Sequence, residues 1–249
     1  MRALLENLID YAGLYPPAGL PLPQVLENYE QYRTSAESWM LNRLVLPAAK
    51  LADARLRDGW RVTLLVEDEP GPLPAQVETL EARLARKLSL PTYCEAPLSA
   101  IPDGAFAKAR TGGLTPDAIP SPESLAEFLV EATARRIAFK ATAGLHHPLR
   151  SMRPLTYAAD SPCATMHGFV NMFAAAAFAW RGAERRLVLD VLNDADATAF
   201  RPTERELGWR ERSLTAAEIR SARRDFAHSF GSCSFEEPVA DLRAMGWLG

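Results

Sequence analysis

Residues 105–144 read AFAKARTGGLTPDAIPSPESLAEFLVEATARRIAFKATAG. Two short apolar runs, Ala105–Arg110 and Arg136–Ala141, bracket a helical pattern at Pro122–Arg135. Ser121 offers an N-cap oxygen, and Pro122 takes the first helical position, where a missing N–H costs nothing. Each run ends in a glycine turn, Thr111-Gly112-Gly113 and Thr142-Ala143-Gly144. Strand, helix, strand in that order calls for a right-handed crossover between parallel strands. One such unit makes this an α/β chain.

The alternation continues on both sides. Further candidate strands are Leu8–Leu14, Asn42–Leu46, Arg61–Val66, Thr92–Glu95 and His228–Cys233. Helical spacing is read at Pro23–Arg33 and at Ala75–Leu88, where Val77, Leu80, Leu84 and Leu88 recur on one face. Ser161–Trp180 reads as one long apolar helix. Leu187–Leu192 is apolar enough for a strand, and Phe200–Trp209 suits a small hairpin or an irregular seventh strand. Thr215-Ala-Ala-Glu218 is a capping box, with Leu214 and Ile219 spaced for a hydrophobic staple. The expected fold is a single (β/α)-barrel domain over residues 1–249, TIM-like and either distorted or seven-stranded. An open doubly wound parallel sheet is the alternative. The dinucleotide fingerprint G-x-G-x-x-G does not follow the first strand, where Tyr15-Pro16-Pro17-Ala18-Gly19 stands instead, and no cofactor is assigned.

Composition narrows the function classes. The 249 residues are 48% hydrophobic and 24% charged, with a net charge of −3 and scattered arginine pairs, which argues against a nucleic-acid binder. Three distant cysteines cannot frame a disulfide scaffold and point to a reducing compartment. The N-terminus lacks the apolar core of a signal peptide, and the longest apolar run, Phe169–Trp180, is broken by Asn171 and too short to span a membrane. A cytoplasmic protein without membrane partners is expected. Only four of the 28 basic residues are lysines: Lys50, Lys87, Lys108 and Lys140. The last two stand inside apolar strand runs.

In a parallel barrel, chemistry sits at the C-terminal strand ends and in the loops beyond them. Three of these ends are polar or glycine-rich: Lys108–Gly113, Lys140–Pro148 and Phe230–Glu237. Backbone N–H groups in such turns favour an anion such as phosphate. Arg110, Thr111, Gly112, Gly113, Thr142, Gly144, Ser232, Cys233 and Glu236 are therefore the candidate contacts for a small anionic substrate. The bland alternative is that these are simply tight turns.

Alternation along the strand puts Lys140 on the face opposite Ile137 and Phe139, pointing into the barrel. Lys108 shares a face with Phe106 and Arg110, so the two lysines can meet. Burial and a second cation both lower a lysine's pKa, and a neutral amine can attack a carbonyl to form a Schiff base. A structural ion pair with Asp10, Glu67 or Glu95 is the competing reading, with Asp10 the preferred carboxylate. His146 or His147, in the loop beside Lys140, could move protons. A metal site from one of them with His167 and a carboxylate is conceivable, but no recognised ligand spacing is present. His228 reads as a buried imidazole and Cys233 as a packed thiol.

Phe139-Lys140-Ala-Thr142-Ala-Gly144 resembles the Lys-x-Thr/Ser-x-Gly strand end of class I aldolases of the deoxyribose-phosphate aldolase type. The resemblance implies that Lys140, on the sixth strand of the seven, forms the Schiff base. In that family the partner lysine follows on the next strand, whereas Lys108 precedes. Three functions follow as expectations. The first is an aldolase-like lyase acting on a small anionic carbonyl or sugar-phosphate compound, with Lys140 as nucleophile and Lys108 tuning it. The second is a noncovalent phosphosugar isomerase or phosphoribosyl-type transferase whose lysines bind phosphate. The third is a non-catalytic ligand-binding or scaffold barrel, homodimeric through the apolar helix Phe169–Trp180.

Overall fold

Eight strands close into a barrel in chain order: β1 (Ile9–Tyr11), β2 (Leu41–Pro47), β3 (Val62–Val66), β4 (Val77–Ala82), β5 (Thr92–Cys94), β6 (Phe106–Arg110), β7 (Phe139–Thr142) and β8 (Ala227–Ser232). All eight neighbouring pairs are parallel, and β8 returns to β1. The computed structural model describes residues 1–248. The open doubly wound alternative is excluded by closure. The barrel is also not seven-stranded.

The eighth strand was hidden in Ala75–Leu88, which is no helix. Val77 and Leu80 point to opposite sides of β4, and both are buried. A strand buried on both faces loses the period-two signal. Leu84, beyond the strand, is 60% exposed, so it belongs to no apolar stripe. Lys87 accordingly stands in a loop and not in a helix.

Helices cover the barrel unevenly. α1 (Leu22–Arg33) follows β1, α2 (Pro122–Ala134) follows β6, and α3 (Phe169–Trp180), α4 (Arg185–Asn193) and α5 (Ala216–Asp225) follow β7. α6 (Glu236–Ala244) follows β8. The four connections from β2 to β6 carry only short 3-10 turns, at Ala48–Lys50 and Leu98–Ala100. Leu51, Leu73, Leu88 and Leu90 from these loops pack against the core in place of helices.

Ser161–Trp180 is not one helix. Cys163–Met166 pairs antiparallel with Ser151–Pro154, and only then does α3 begin. Every residue from Phe169 to Ala179 is at most 3% exposed, because α2, α4, α5 and β8 enclose α3. A helix apolar all round is a core helix. In this chain it offers no exposed face, so the apolar run Phe169–Trp180 is explained by packing within the barrel's own shell. Asn171, the polar interruption, accepts from the Arg150 amide and donates to the Val191 and Asp194 carbonyls, bolting α3 to the end of α4. Leu187–Leu192 is part of α4, not a strand. Phe200–Pro202, Glu206–Trp209 and Arg212–Thr215 form a small antiparallel sheet outside the barrel, with the hairpin expected there.

Local capping matches the sequence at both predicted starts. Ser121 Oγ accepts from the Ser124 amide at 3.1 Å. Thr215 Oγ1 accepts from the Glu218 amide at 3.2 Å, and Glu218 Oε2 accepts from the Thr215 amide at 2.8 Å. Leu214 and Ile219 are both buried. Thr215→Ala is expected to cost about 1 kcal/mol of folding stability, read from a urea unfolding midpoint. An unchanged midpoint would show that tertiary packing alone sets the start of α5.

Candidate functional site

The barrel interior is polar where most barrels are aliphatic. Asp10 on β1, Glu81 on β4, Glu95 just beyond β5, Lys108 on β6 and Lys140 on β7 form one chain of alternating charge. Lys140 Nζ lies 2.5 Å from Asp10 Oδ2 and 2.5 Å from Glu81 Oε1. Lys108 Nζ lies 2.8 Å from Glu81 Oε2 and 3.3 Å from Glu95 Oε2. Arg110 closes the chain on Glu95 Oε1 at 2.9 Å. The two lysines are direct neighbours in the β6–β7 register.

Each group is fixed from its own side. Asp10 accepts from Asn42 Nδ2 at 2.6 Å, from the Arg43 amide at 3.2 Å and from Ser229 Oγ at 2.8 Å, besides Lys140. Phe139, beside Lys140, packs outward against Phe128, Phe173 and Phe226, which turns Lys140 inward. Burial alone would lower the Lys140 ammonium, but Asp10 and Glu81 raise it well above the ordinary lysine value. The expectation that burial and a second cation would make Lys140 a neutral amine is therefore corrected. Burial would likewise raise the Glu81 carboxyl, yet the Lys140 and Lys108 ammonium groups hold it down at about 2.

Above this layer, at the C-terminal strand ends, lies a cavity of about 460 Å³. Lys108, Glu81, Glu95, Arg110, His146 and Cys233 all line it. Lys140 is no part of its wall. Gly113, Thr142, Gly144 and Gly231 also line the cavity, as do Tyr15 and the exposed Arg83, neither of which was expected there from the sequence.

His146 carries a second cluster. Its Nδ1 lies 3.2 Å from Glu237 Oε2 and 4.0 Å from Cys233 Sγ. Tyr157 Oη donates to Glu237 Oε2 at 3.3 Å and lies 3.8 Å from the sulfur. Burial would lower the imidazole, but its hydrogen bonds and charge contacts with Cys233 and Glu237 raise it to about 9. Near neutral pH His146 is thus a cation, and Nε2 is the nitrogen left for a ligand.

Other expected site residues lie elsewhere. His147 is held by Asp241 at 2.6 Å, and its carbonyl accepts from the Phe169 amide at the start of α3. Thr111 is buried and donates to the Thr142 and Ala143 carbonyls, away from the cavity. Gly112 is required for close packing. A Cβ there would lie 2.9 Å from the Gly144 Cα, and Gly144 itself has a φ of +78°. Ser232 is buried outside the cavity wall, and Glu236 is exposed; Glu237, one residue on, makes the contact with His146. The conceived metal set does not converge. His167 Nε2 is 2.7 Å from the Pro120 carbonyl, and among the described residues no three His, Cys, Asp or Glu side chains gather as a ligand set. His228 bonds Tyr93 Oη through Nδ1 at 2.8 Å. Glu67 takes no part in the charge chain, and no helix among the described residues is long and apolar enough to cross a membrane.

Comparison with protein-family models, with curated proteins and with solved structures finds no match to this chain.

Proposed function

We propose that this barrel is a Schiff-base lyase of the aldolase type acting on a small anionic carbonyl compound, with Lys108 as its nucleophile. The observation that carries the reading is the sharing of partners along the charge chain. When Lys108 gives up its proton, Glu81 keeps Lys140 and Glu95 keeps Arg110, so no buried carboxylate loses its last cation. Lys140 has no such freedom, because among the described residues Asp10 has no other cationic side chain bonded to it. Lys108 also lines the cavity and Lys140 does not.

With β4 counted, Lys108 stands on the sixth strand and Lys140 on the seventh. The aldolase resemblance orders its lysines in that way, nucleophile on the sixth strand and partner on the next. By strand number the role expected of Lys140 passes to Lys108, while the Lys-x-Thr-x-Gly motif itself stays at Lys140, Arg110 standing at the Thr position after Lys108. Arg83, Arg110 and the His146 imidazolium surround the opening with positive charge, which suits a carboxylate or phosphate on the substrate. A noncovalent phosphosugar enzyme is the second reading, supported by the bracing of Lys108 between two carboxylates.

Borohydride reduction with a panel of small aldehydes, ketones and sugar phosphates decides between them. The expected result is a reduced adduct mapped to Lys108 and lost in Lys108→Arg. An adduct on Lys140 would reverse the assignment. A folded protein with no adduct at all would leave the noncovalent reading in place.

A further inference from the structure

Among the described residues only two buried side-chain oxygens lack a hydrogen-bond partner, Tyr15 Oη and Thr133 Oγ1. Thr133 belongs to α2, on the outside of the barrel. Tyr15 lines the cavity that holds Lys108. A buried hydroxyl without a partner is costly, and native structures keep few of them. The loop holding Tyr15 is tied by its own backbone. The Tyr15 amide donates to the Ala12 carbonyl at 2.9 Å, and the Gly19 amide donates to the Tyr15 carbonyl at 3.1 Å. The backbone on either side of Tyr15 is thus fixed, while the phenol oxygen, on a residue that lines the cavity, has no partner in the protein.

We infer that Tyr15 is a catalytic residue whose hydroxyl bonds the carbonyl oxygen of the bound substrate and relays a proton to it. This rests on the Schiff-base reading. Lys108 first releases its ammonium proton to solvent through the cavity it lines; as the neutral nitrogen then forms its bond to the carbonyl carbon, the C=O π pair moves onto oxygen. Tyr15 Oη gives its proton to that oxygen and takes one from the Lys108 nitrogen, leaving a neutral carbinolamine and a neutral phenol. Burial and the Glu81 carboxylate push the phenol above its ordinary pKa, so it enters the step protonated. The substrate oxygen supplies the partner that Tyr15 otherwise lacks.

Tyr15→Phe removes only the oxygen. With glyceraldehyde 3-phosphate as probe and cyanoborohydride as reductant, the variant is expected to form the Lys108 adduct at least tenfold more slowly than the wild type. General acid–base groups contribute roughly that much or more. The final extent of labelling should be equal in the two proteins, and the Tm should be unchanged or higher, since an unsatisfied polar atom has been removed. Equal rates of labelling would overturn the role of Tyr15 and leave Lys108 standing. A lowered Tm with a lowered final extent would make the hydroxyl structural and overturn it as well. No adduct on wild-type Lys108 would remove the Schiff-base reading, and the relay with it.

Discussion

Glu81→Ala is expected to lower folding stability by about 3–5 kcal/mol, the scale for removing one partner from a buried ion network. Glu81 is 3% exposed and joins two ammonium groups that have little access to water. Without it Lys140 keeps only Asp10, and Lys108 keeps only Glu95, which also holds Arg110. The barrel then has to carry an uncompensated positive charge or deprotonate a lysine. Urea unfolding at pH 7 measures the loss. Glu81→Ala combined with Lys140→Met should recover part of it, because the surplus charge goes with the lysine. A loss below about 1 kcal/mol for the single variant would mean that water reaches the network.

Stability should peak near pH 6.5 and decline on both sides, with a different histidine behind each limb. Burial, helped by the Arg223 guanidinium, lowers His228 to about 4. A depressed folded pKa gives stability that is complete above the unfolded value near 6.5 and is lost as pH falls through 4. His146, raised to about 9, works the other way. Its contribution is complete below 6.5 and is lost as pH rises through 9. At about 1.4 kcal/mol per pKa unit each limb amounts to about 3 kcal/mol. Glu81, held at about 2, adds a further acid loss below pH 4.5. Unfolding midpoints from pH 4 to 9 test this directly. His228→Gln should flatten the acid limb above pH 4.5, and His146→Gln the alkaline one. Equal midpoints at pH 5 and 6.5 in the wild type would contradict the assignment of His228.

Much of the barrel could be read from punctuation and alternation. The β6–α2–β7 unit, the Ser121 and Thr215 caps and the inward turn of Lys140 all follow from local chemistry. The pairing of Lys140 with Asp10 is the preferred one of three expected, although it joins residues 130 positions apart. What could not be read depended on long-range context. β4 passed for a helix because both of its faces are covered, and Glu81 vanished with it. That one omission also shifted the strand count, placing Lys140 on the sixth strand, where Lys108 stands, and not on the seventh. Glu236 and Glu237 are equal candidates in the sequence, and Glu236 was expected in place of Glu237 because the register of α6 against His146 is a tertiary fact. Tyr15 and Arg83 sit in loops whose entry into the cavity has no local signature.

The alternating chain through the barrel also keeps a balance of parity. Asp10, Glu81 and Glu95 face Lys140, Lys108 and Arg110, three acids against three bases. On the Schiff-base reading, the neutral amine that attacks the carbonyl leaves this sum one unit negative. The iminium that follows loss of water is a cation at the same nitrogen, and it restores the sum to zero. The interior thus disfavours the free amine and favours the condensed, charged state. The electron sink that carbon–carbon cleavage requires is also the species that rebalances the barrel.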